Sequence, residues 1–357
     1  MYIKSIELIN FRNYIDQTID LNKDINIIYG NNAQGKTNII ESIFLSAMGK
    51  SFRENKEKKL IRFGENEATV IINYERNGKD NQIKVILNDN KLFFYNDIKQ
   101  GRVSDIIGKI NVVIFTPDDI NIFKEGPQRR RKFLDMLISS LKPKYLYLLK
   151  DYNNVLDQRN FYLKEIKYNH KSEDLLDVYD EQLSSIGSDI YKYRKDYIEK
   201  IQKYISSFHS LITKSGKESI DIKYITTFKD KDSYKENLKR KRKEDLDKGF
   251  TTIGVHRDDF IININNKNVA IFGSQGQQRS SILSLKLSEL NVIKDEINDE
   301  PVLLLDDFMS ELDEERRTSF IENIEGNQVI LTCTDKIDIK RDGQTFFIEN
   351  GIVNRGD

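Results

Sequence analysis

The stretch Gly30-Asn31-Asn32-Ala33-Gln34-Gly35-Lys36-Thr37 decides the fold, and we call it the P-loop. The apolar run before it, residues 25–29, predicts a strand, and apolar residues recur at helical spacing after it. Gly30 and Gly35 let the backbone turn its N–H groups inward, and the helix N-terminus adds partial positive charge. Lys36 then reaches the β- and γ-phosphates of a nucleotide, and Thr37 places a hydroxyl on Mg²⁺. The stretch therefore predicts a nucleoside triphosphate site.

A second motif, Val302-Leu303-Leu304-Leu305-Asp306-Asp307, is an apolar run that ends in two adjacent acids. Carboxylates at the end of a buried strand are costly unless a cation or a water network compensates them. With a P-loop upstream, Asp306 is placed to hold the Mg²⁺ shell, and Asp307 to orient or deprotonate the attacking water. Lys36, Asp306 and Asp307 are the predicted catalytic residues, and Thr37 and Asp306 are the predicted Mg²⁺ ligands.

A third motif, Gly273-Ser274-Gln275-Gly276-Gln277-Gln278-Arg279, precedes an amphipathic helix. Alone, such a loop is a common way to begin a helix. The loop becomes informative through the order of the motifs. The second motif, which ends in Asp306 and Asp307, follows it, and Ser310-Glu311-Leu312-Asp313 comes next. Chance rarely assembles this series, which strengthens the prediction of a nucleotide site.

The composition limits the classes of protein that fit this chain. Its 357 residues are enough for roughly two domains. Lys+Arg and Asp+Glu both number 57, so any nucleic-acid contact must come from a local patch. One cysteine, Cys333, excludes internal disulfides and fits a reducing compartment. The N-terminus lacks a signal-peptide core, and no apolar run approaches the roughly 20 residues that cross a bilayer. We therefore expect a cytoplasmic protein without a membrane partner.

Helical periodicity replaces strand signals between about residues 128 and 215. A heptad-like seam runs through it, formed by Tyr179, Leu183, Ile186, Ile190, Tyr193, Tyr197, Ile201, Tyr204 and Phe208. Residues 144–166 are the predicted antiparallel partner of this seam. We expect an α/β fold, with a mixed-sheet head that includes β hairpins and is interrupted by a helical, short coiled-coil-like arm. The head is predicted to comprise residues 1–124 and 250–357, and the arm residues 125–249.

Further strand signals lie on both sides of the arm. Residues 69–74 and 83–87 predict a hairpin, and residues 112–115 a short buried strand. After the arm, residues 260–264 and 269–272 predict a second hairpin around Asn265-Asn266. Residues 329–331 and 346–348 then join 302–305 as closing strands, which places both ends of the chain in one head.

The ordered motifs resemble the ABC ATPase head, in the branch shared with SMC proteins. Ser274, Gly276 and Gln277 match the Leu-Ser-Gly-Gly-Gln signature loop of that superfamily, so we call residues 273–279 the signature loop. Ser310, Leu312 and Asp313 match its D-loop. Since one such chain cannot close its own site, the resemblance implies contacts to ATP held by a second copy. The residues implied in these contacts are Ser274, Gln275, Gly276, Gln277, Ser310 and Asp313.

Finer features resemble the RecF family of bacterial recombinational repair, from the first residues to about residue 335. These features are the exact sequence of the P-loop and the segments 6–14, 50–53, 117–119, 129–135 and 254–259. The resemblance implies an ATP-dependent homodimer that binds double-stranded and gapped DNA and that works with RecR and RecO to load RecA. It implies that ATP, with Mg²⁺, contacts Arg12, Asn13, Gly30, Asn31, Asn32, Ala33, Gln34, Gly35, Lys36, Thr37 and Asn38.

Three departures from related patterns qualify this resemblance. ABC transporters have Glu where this chain, like RecF proteins, has Asp307, and the shorter side chain predicts slow turnover, because ångström-scale misplacement can cost about a hundredfold. Thr334 stands at the place of the transporter switch histidine. Val255 replaces the proline of the family's Gly-Pro-His-Arg, which affects the turn before His256 and Arg257.

Two basic clusters are the candidate DNA contacts, because they flank the junction of arm and head in the sequence. Neither is interleaved with aromatic residues, so we expect contact with the phosphates of duplex DNA rather than with bases. They comprise Arg129, Arg130, Arg131 and Lys132 at the start of the arm and Lys239, Arg240, Lys241 and Arg242 near its end.

Two other interpretations of the function are compatible with the same nucleotide motifs. An ATP-binding subunit of a transporter would need a membrane partner, and the seam, Asp307 and the missing switch histidine argue against it. An ATP-dependent nuclease of the same branch would add a metal-binding acidic domain after the head, whereas this chain ends soon after its last predicted strand.

Overall fold

The computed structural model of the chain describes residues 1–54, 56–213, 218–308, 320, 324, 326–335 and 343–356. Its strands are β1 Tyr2–Ile9, β2 Asp16–Asp20, β3 Ile25–Tyr29, β4 Ala68–Arg76, β5 Lys79–Leu87, β6 Lys91–Tyr95, β7 Ile98–Gln100, β8 Val112–Phe115, β9 Ile220–Ile225, β10 Asp259–Ile264, β11 Lys267–Asn268, β12 Val302–Leu305, β13 Val329–Cys333, β14 Gly343–Glu349 and β15 Ile352–Arg355.

The α-helices are α1 Lys36–Met48, α2 Asn121–Lys124, α3 Pro127–Leu141, α4 Pro143–Asn169, α5 Asp174–Thr213, α6 Lys231–Lys248, α7 Val269–Phe272 and α8 Gln275–Ile297. Short 3₁₀ helices cover Glu57–Leu60, Val103–Asp105 and Pro117–Ile120. The prediction of a mixed α/β fold with a long helical segment between two strand-rich segments is confirmed.

The chain forms two compact units. The first comprises Met1–Asp119, Leu211–Thr213 and Glu289–Asp357, and the second comprises Ile120–Ser210 and Lys214–Ser288. Residues 250–288, which we expected in the head, thus lie in the second unit. The predicted domain boundaries stay a prediction.

The described residues of the first unit form two six-stranded sheets. One has the order β15-β14-β3-β13-β12-β8 and is parallel except for the β14–β15 pair. The other is antiparallel, with the order β2-β1-β4-β5-β6-β7. Helix α1 contacts β8 and β13 of the first sheet and β4 and β5 of the second. A helix that packs on both sides must be apolar nearly all round, which explains the density of isoleucine after the P-loop.

Strands β3, β12 and β13 are short and nearly continuous in apolar residues. All residues of β12 are buried, as expected for parallel strands covered on both faces. In register, Leu305 of β12 lies beside Leu331 of β13, which in turn pairs with Ile27 of β3. Because the three strands run in the same direction, the residues that follow them meet at one edge of the sheet. That edge carries the P-loop and the paired acids.

The second unit is built around α3 to α6 and a three-stranded sheet of order β11-β10-β9. Helix α5, at 40 residues, is about 60 Å long. It runs antiparallel to α4, since Tyr145 packs on Tyr193 with ring centroids 5.5 Å apart and Tyr162 packs on Tyr179 at 5.9 Å. The predicted pairing of the seam with residues 144–166 is therefore confirmed.

A fully buried ion cluster joins three helices of this unit. Arg159 of α4 donates from Nε to Asp180 of α5 at 2.8 Å and from Nη1 to Asp245 of α6 at 2.7 Å. Buried charges of this kind are tolerated only when they are paired and hydrogen-bonded. The cluster fixes the position of α6, which the sequence did not identify as a helix because its residues are mostly charged.

One local prediction is wrong. Residues 269–272 form helix α7 instead of the second strand of a hairpin, and the strand that returns along β10 after the turn is the short β11, Lys267–Asn268. The Asn268 side chain accepts a hydrogen bond from the Ala270 N–H at 2.9 Å, which caps a helical turn.

In the described parts of the chain, no helix is long and apolar enough to cross a membrane.

Candidate nucleotide-binding site

The backbone of the P-loop requires glycine at two positions. Gly30 has φ 149° and Gly35 has φ 114°, a region that side chains with a Cβ rarely adopt. A Cβ on Gly30 would lie 2.4 Å from the carbonyl oxygen of Ile348, and one on Gly35 would lie 2.5 Å from Nδ2 of Asn13. Both glycines are thus required by close approach of neighbouring chain segments as well as by φ.

Lys36 lies across the P-loop with its side chain buried. Its Nζ donates to the carbonyl oxygen of Gly30 at 2.6 Å and to that of Asn31 at 3.1 Å. An ammonium has three protons, so two carbonyl partners leave a third for a phosphate oxygen. The geometry agrees with the predicted role of Lys36 as a phosphate ligand.

The Asn13 side chain braces the P-loop from outside. Its Nδ2 donates to the carbonyl oxygen of Gln34 at 2.8 Å, and its Oδ1 accepts from Nδ2 of Asn38 at 2.8 Å. The Tyr14 hydroxyl donates to the Gly35 carbonyl oxygen at 3.1 Å. The structure therefore brings Asn13 and Asn38 together with the P-loop, as their prediction as nucleotide-site residues requires, and it adds Tyr14.

Arg12 is anchored by a residue that we did not predict. Its Nε and Nη2 each donate to the Glu41 carboxylate at 2.8 Å, and its Nη1 donates to the Lys59 carbonyl oxygen at 3.0 Å. Glu41 is fully buried in α1 and also accepts from the Ser51 hydroxyl at 2.5 Å. The signal in the sequence was an acid between the apolar pairs Ile39-Ile40 and Ile43-Phe44 of α1. Glu41 thus holds the Arg12 side chain against α1, the helix that follows the P-loop.

Thr37 and Asp306 meet at the edge of the parallel sheet. The Thr37 hydroxyl donates to Oδ1 of Asp306 at 2.8 Å. Burial raises the pKa of Asp306, although its hydrogen bonds with Thr37 and Thr332 oppose this rise. Mg²⁺ prefers oxygen ligands, and a cation beside a buried carboxylate would stabilise its charged form. The two side chains therefore fit a Mg²⁺ site.

Thr332, at the end of β13, links the two acids and was missed by the sequence reasoning. Its hydroxyl donates to Oδ1 of Asp306 at 2.9 Å and accepts from the Asp307 N–H at 2.9 Å. Asp307 has φ 47°, so the chain turns sharply directly after Asp306. Thr334, the residue at the switch-histidine place, is exposed and donates to Asp335 at 3.2 Å. For Thr332, the available signal was the parallel pairing of β12 and β13, which aligns the C-terminal ends of the two strands.

The signature loop begins α8. Ser274 and Gln277 form a capping box, in which the Ser274 N–H donates to Oε1 of Gln277 at 3.0 Å and the Gln277 N–H donates to Oγ of Ser274 at 3.2 Å. Ser274 and Gln275 are exposed, and Gly276 is half-buried. The predicted D-loop residues Ser310 and Asp313 lie outside the described residues.

The first basic cluster is partly buried by intramolecular partners. Arg130 is buried and forms a bidentate ion pair with Asp259, at 2.6 and 2.8 Å. Arg131 donates to the carbonyl oxygen of Asp258 at 2.7 Å, and Arg129 lies 3.6 Å from Glu125. Lys132 is exposed. Arg130 therefore supports the second unit instead of presenting its charge to solvent.

The second basic cluster lies on α6. Arg242 pairs with Asp177 at 2.8 Å and with Asp180 at 2.5 Å, and Lys239 lies 3.7 Å from Asp177. Lys241 pairs with Glu244 at 2.7 Å, and the exposed Arg240 donates to Oδ1 of Asn237 at 2.7 Å. Neighbouring carboxylates on α5 and α6 thus offset part of the charge that the linear sequence displays.

His256 has a structural environment. Its Nε2 lies 3.1 Å from the carbonyl oxygen of Thr251, and its Nδ1 lies 2.9 Å from the Tyr152 hydroxyl, which is 2.7 Å from that of Tyr234. A carbonyl oxygen only accepts, so we assign the ring proton to Nε2. Arg257 is exposed, with its guanidinium 5.3 Å from the centre of the Phe250 ring.

Comparison with known proteins identifies relatives across the whole chain. The family model for the RecF/RecN/SMC N terminal domain matches residues 2–172. The DNA replication and repair protein RecF of Clostridium acetobutylicum is 46% identical, over 99% of this chain and 99% of its own length. That of Clostridium botulinum is 43% identical, over 99% of this chain and 100% of its own.

Solved structures agree with these relatives. The recombination mediator protein RecF-ATP in the RecFOR pathway has a TM-score of 0.93 and 38% identity, with 100% of this chain and 98% of that chain covered. An Smc head bound to the C-winged helix domain of ScpA has a TM-score of 0.61 at 16% identity, covering 100% and 97%. The second match concerns the fold alone, and it confirms the predicted SMC-like head. On the strength of the first match and of the full-length sequence relatives, the chain belongs to the RecF family of DNA replication and repair proteins.

Proposed function

We propose that this chain is an ATP-dependent DNA-binding protein of recombinational repair, in which ATP pairs two copies on double-stranded DNA near gaps. The observation that carries the proposal is the edge of the parallel sheet where Lys36, Thr37 and Asp306 converge. The similar structure of RecF-ATP, at 38% identity, supports the choice of nucleotide.

Each residue of the site has a definable task in this proposal. Lys36 and the P-loop N–H groups bind the phosphates, while Thr37 and Asp306 would hold Mg²⁺, which neutralises phosphate charge when bound. Asp307 orients or deprotonates the attacking water. Because aspartate is one bond shorter than glutamate, we expect slow hydrolysis that serves as a release switch.

Pairing of two copies follows from the separate tasks of the P-loop and the signature loop. The exposed Ser274 at the start of α8 is suited to contact a nucleotide bound by a second copy. A twofold arrangement would hold two ATP molecules between two identical surfaces. Hydrolysis through Asp307 would then release the pair from DNA. We also propose that the chain works with RecO and RecR to load the recombinase. The similar structure of a RecF protein from the RecFOR pathway supports this choice of partners.

The dimer is tested by Ser274→Arg, which places a long cation where the second copy would approach. We expect the variant to bind ATP as the wild type does but to remain monomeric with ATP in light scattering and gel filtration, with and without duplex DNA. Ser185→Arg, at an exposed position on α5, is the matched control and should still dimerise. Full dimer formation by Ser274→Arg would refute contact in trans.

A further inference from the structure

A chain of hydrogen bonds connects the end of α5 to the signature loop. It begins at His209, a fully buried residue of α5. The His209 Nε2 lies 3.1 Å from Oε2 of Glu218, and its Nδ1 lies 3.3 Å from Oγ of Ser284 on α8. An ionised carboxylate only accepts hydrogen bonds, so Nε2 carries the proton and donates to Glu218. His209 thus holds the Glu218 carboxylate and contacts the helix that the signature loop begins.

Glu218 passes this restraint to the signature loop. Its second oxygen, Oε1, accepts from Nε2 of Gln277 at 2.8 Å. The other end of the same Gln277 amide accepts from the Ser274 N–H in the capping box. Glu218 therefore fixes which way the Gln277 amide points, because the opposite orientation would set an amide oxygen against a carboxylate.

The orientation of Gln277 bears on the chemistry of Ser274. The Ser274 hydroxyl accepts the Gln277 N–H through one lone pair, and it keeps its own proton for another acceptor. An anionic phosphate oxygen is such an acceptor. A rotated Gln277 amide would instead place an NH₂ group against the Ser274 N–H and disrupt the capping box.

A buried row of serines supports the same segment of α8. The Ser280 hydroxyl donates to the carbonyl oxygen of Gly276 at 3.0 Å, and the Ser284 hydroxyl donates to that of Ser280 at 2.7 Å. Ser280 and Ser284 are buried, and Ser284 is the residue that faces His209. Because the single Ser284 proton goes to Ser280, His209 only packs against this row, and the hydrogen-bonded route from α5 to the signature loop runs through Glu218 to Gln277.

We infer that Glu218, held by His209, is a positioning residue that sets the signature loop to present Ser274 to the nucleotide of a second copy. The inference rests on the proposed ATP-dependent pairing and deepens it. Sequence reasoning could not find Glu218, since it lies outside every motif and becomes adjacent to Gln277 only in the folded unit.

The test uses the full chain and measures the ATP concentration at half-maximal dimerisation by light scattering. Losing a hydrogen bond to a charged group costs about tenfold, so Glu218→Ala should raise this concentration about tenfold. Gln277→Ala should raise it by at least as much, because it also removes the acceptor of the Ser274 N–H. The double variant should shift it no further than Gln277→Ala alone, because Glu218 acts on the signature loop only through Gln277. Binding of a fluorescent ATP analogue by the Glu218→Ala monomer should stay unchanged, since the P-loop is intact.

Two further variants separate positioning from general damage to the fold. Glu218→Gln keeps an oxygen for the Gln277 amide and should restore dimerisation close to wild type. Glu199→Ala removes an exposed acid elsewhere on α5 and should have no effect. Additive effects of the two alanine changes, or Glu218→Ala with wild-type dimerisation, would overturn the inference alone. A wild-type chain that stays monomeric with ATP would overturn the proposed function, and the inference with it.

Discussion

At the scale of single residues, the Thr332 hydroxyl is the contact that orders the two acids. It donates to Asp306 and accepts from the backbone of Asp307, both at 2.9 Å. Asp306 is thereby held toward Thr37, and the turn at Asp307 is fixed. One hydroxyl on a neighbouring strand thus couples the proposed Mg²⁺ ligand to the residue that would act on water.

Thr332→Val keeps the shape of the side chain and removes both hydrogen bonds. We expect ATP hydrolysis to slow about tenfold to a hundredfold, because a reacting group displaced by about 1 Å can lose that much rate. Affinity for ATP should change little, since Lys36 and the P-loop are untouched. Phosphate release and titration with a fluorescent ATP analogue measure the two effects. Thr18→Val, the same change at an exposed position of β2, is the control, and hydrolysis at the wild-type rate in Thr332→Val would contradict the coupling.

At the scale of elements, His256 joins the loop before β10 to helices α4 and α6 through Tyr152 and Tyr234. Burial lowers the pKa of His256 to about 4. An unfolded histidine has a pKa of about 6.5, so the unfolded chain binds this proton more readily than the folded chain does. The stability that neutral His256 contributes is complete above about pH 6.5 and is lost as pH falls toward 4.

His256→Gln tests this dependence, because an amide can donate to Thr251 and accept from Tyr152 but does not titrate in this range. Between pH 7 and pH 5, the wild type should lose about 2 kcal/mol more of its unfolding free energy than the variant. Urea unfolding at the two pH values measures the difference. Burial raises the pKa of nearby Asp258 to about 6, which acts in the opposite direction but is present in both proteins. Equal pH dependence in the two proteins would show that His256 is not the source.

At the scale of the whole molecule, DNA binding by a chain of zero net charge must depend on a local surface. The structure narrows the candidates, because Arg130 and Arg242 are used in ion pairs inside the second unit. Lys132 and Arg240 are exposed and remain the best candidates of the two clusters. Their contact with DNA stays a proposal.

Contact with phosphates predicts a steep dependence on salt. If roughly six phosphates are contacted, affinity for duplex DNA with ATP should fall about a thousandfold between 50 and 200 mM salt. Arg240→Gln or Lys132→Gln should weaken binding for every DNA sequence and reduce the salt slope by about 1. Lys58→Gln, at an exposed lysine of the first unit, is the control. Fluorescence anisotropy over a salt series measures these slopes, and a flat dependence would exclude a phosphate-binding surface.

The sequence by itself determined the fold class and predicted the principal residues of the candidate site. Local rules are sufficient for these features: glycine spacing sets the P-loop, apolar runs set the buried strands, and the seam of α5 finds its partner in α4. They fail where the environment reverses a residue's intrinsic preference. Residues 269–272 have the composition of a strand but form a capped helix. Helix α6 contains so many charged residues that no apolar periodicity reveals it in the sequence.

Only the tertiary structure decided which polar residues work together. Glu41 and Arg12, Thr332 and Asp306, and Glu218 and Gln277 are each far apart in sequence and become partners through strand register or helix packing. The two basic clusters show the same limit in reverse, since carboxylates distant in the chain neutralise part of them. Charge and hydrogen bonding act through space over a few ångströms, so their outcome depends on the folded neighbours, which no local pattern specifies.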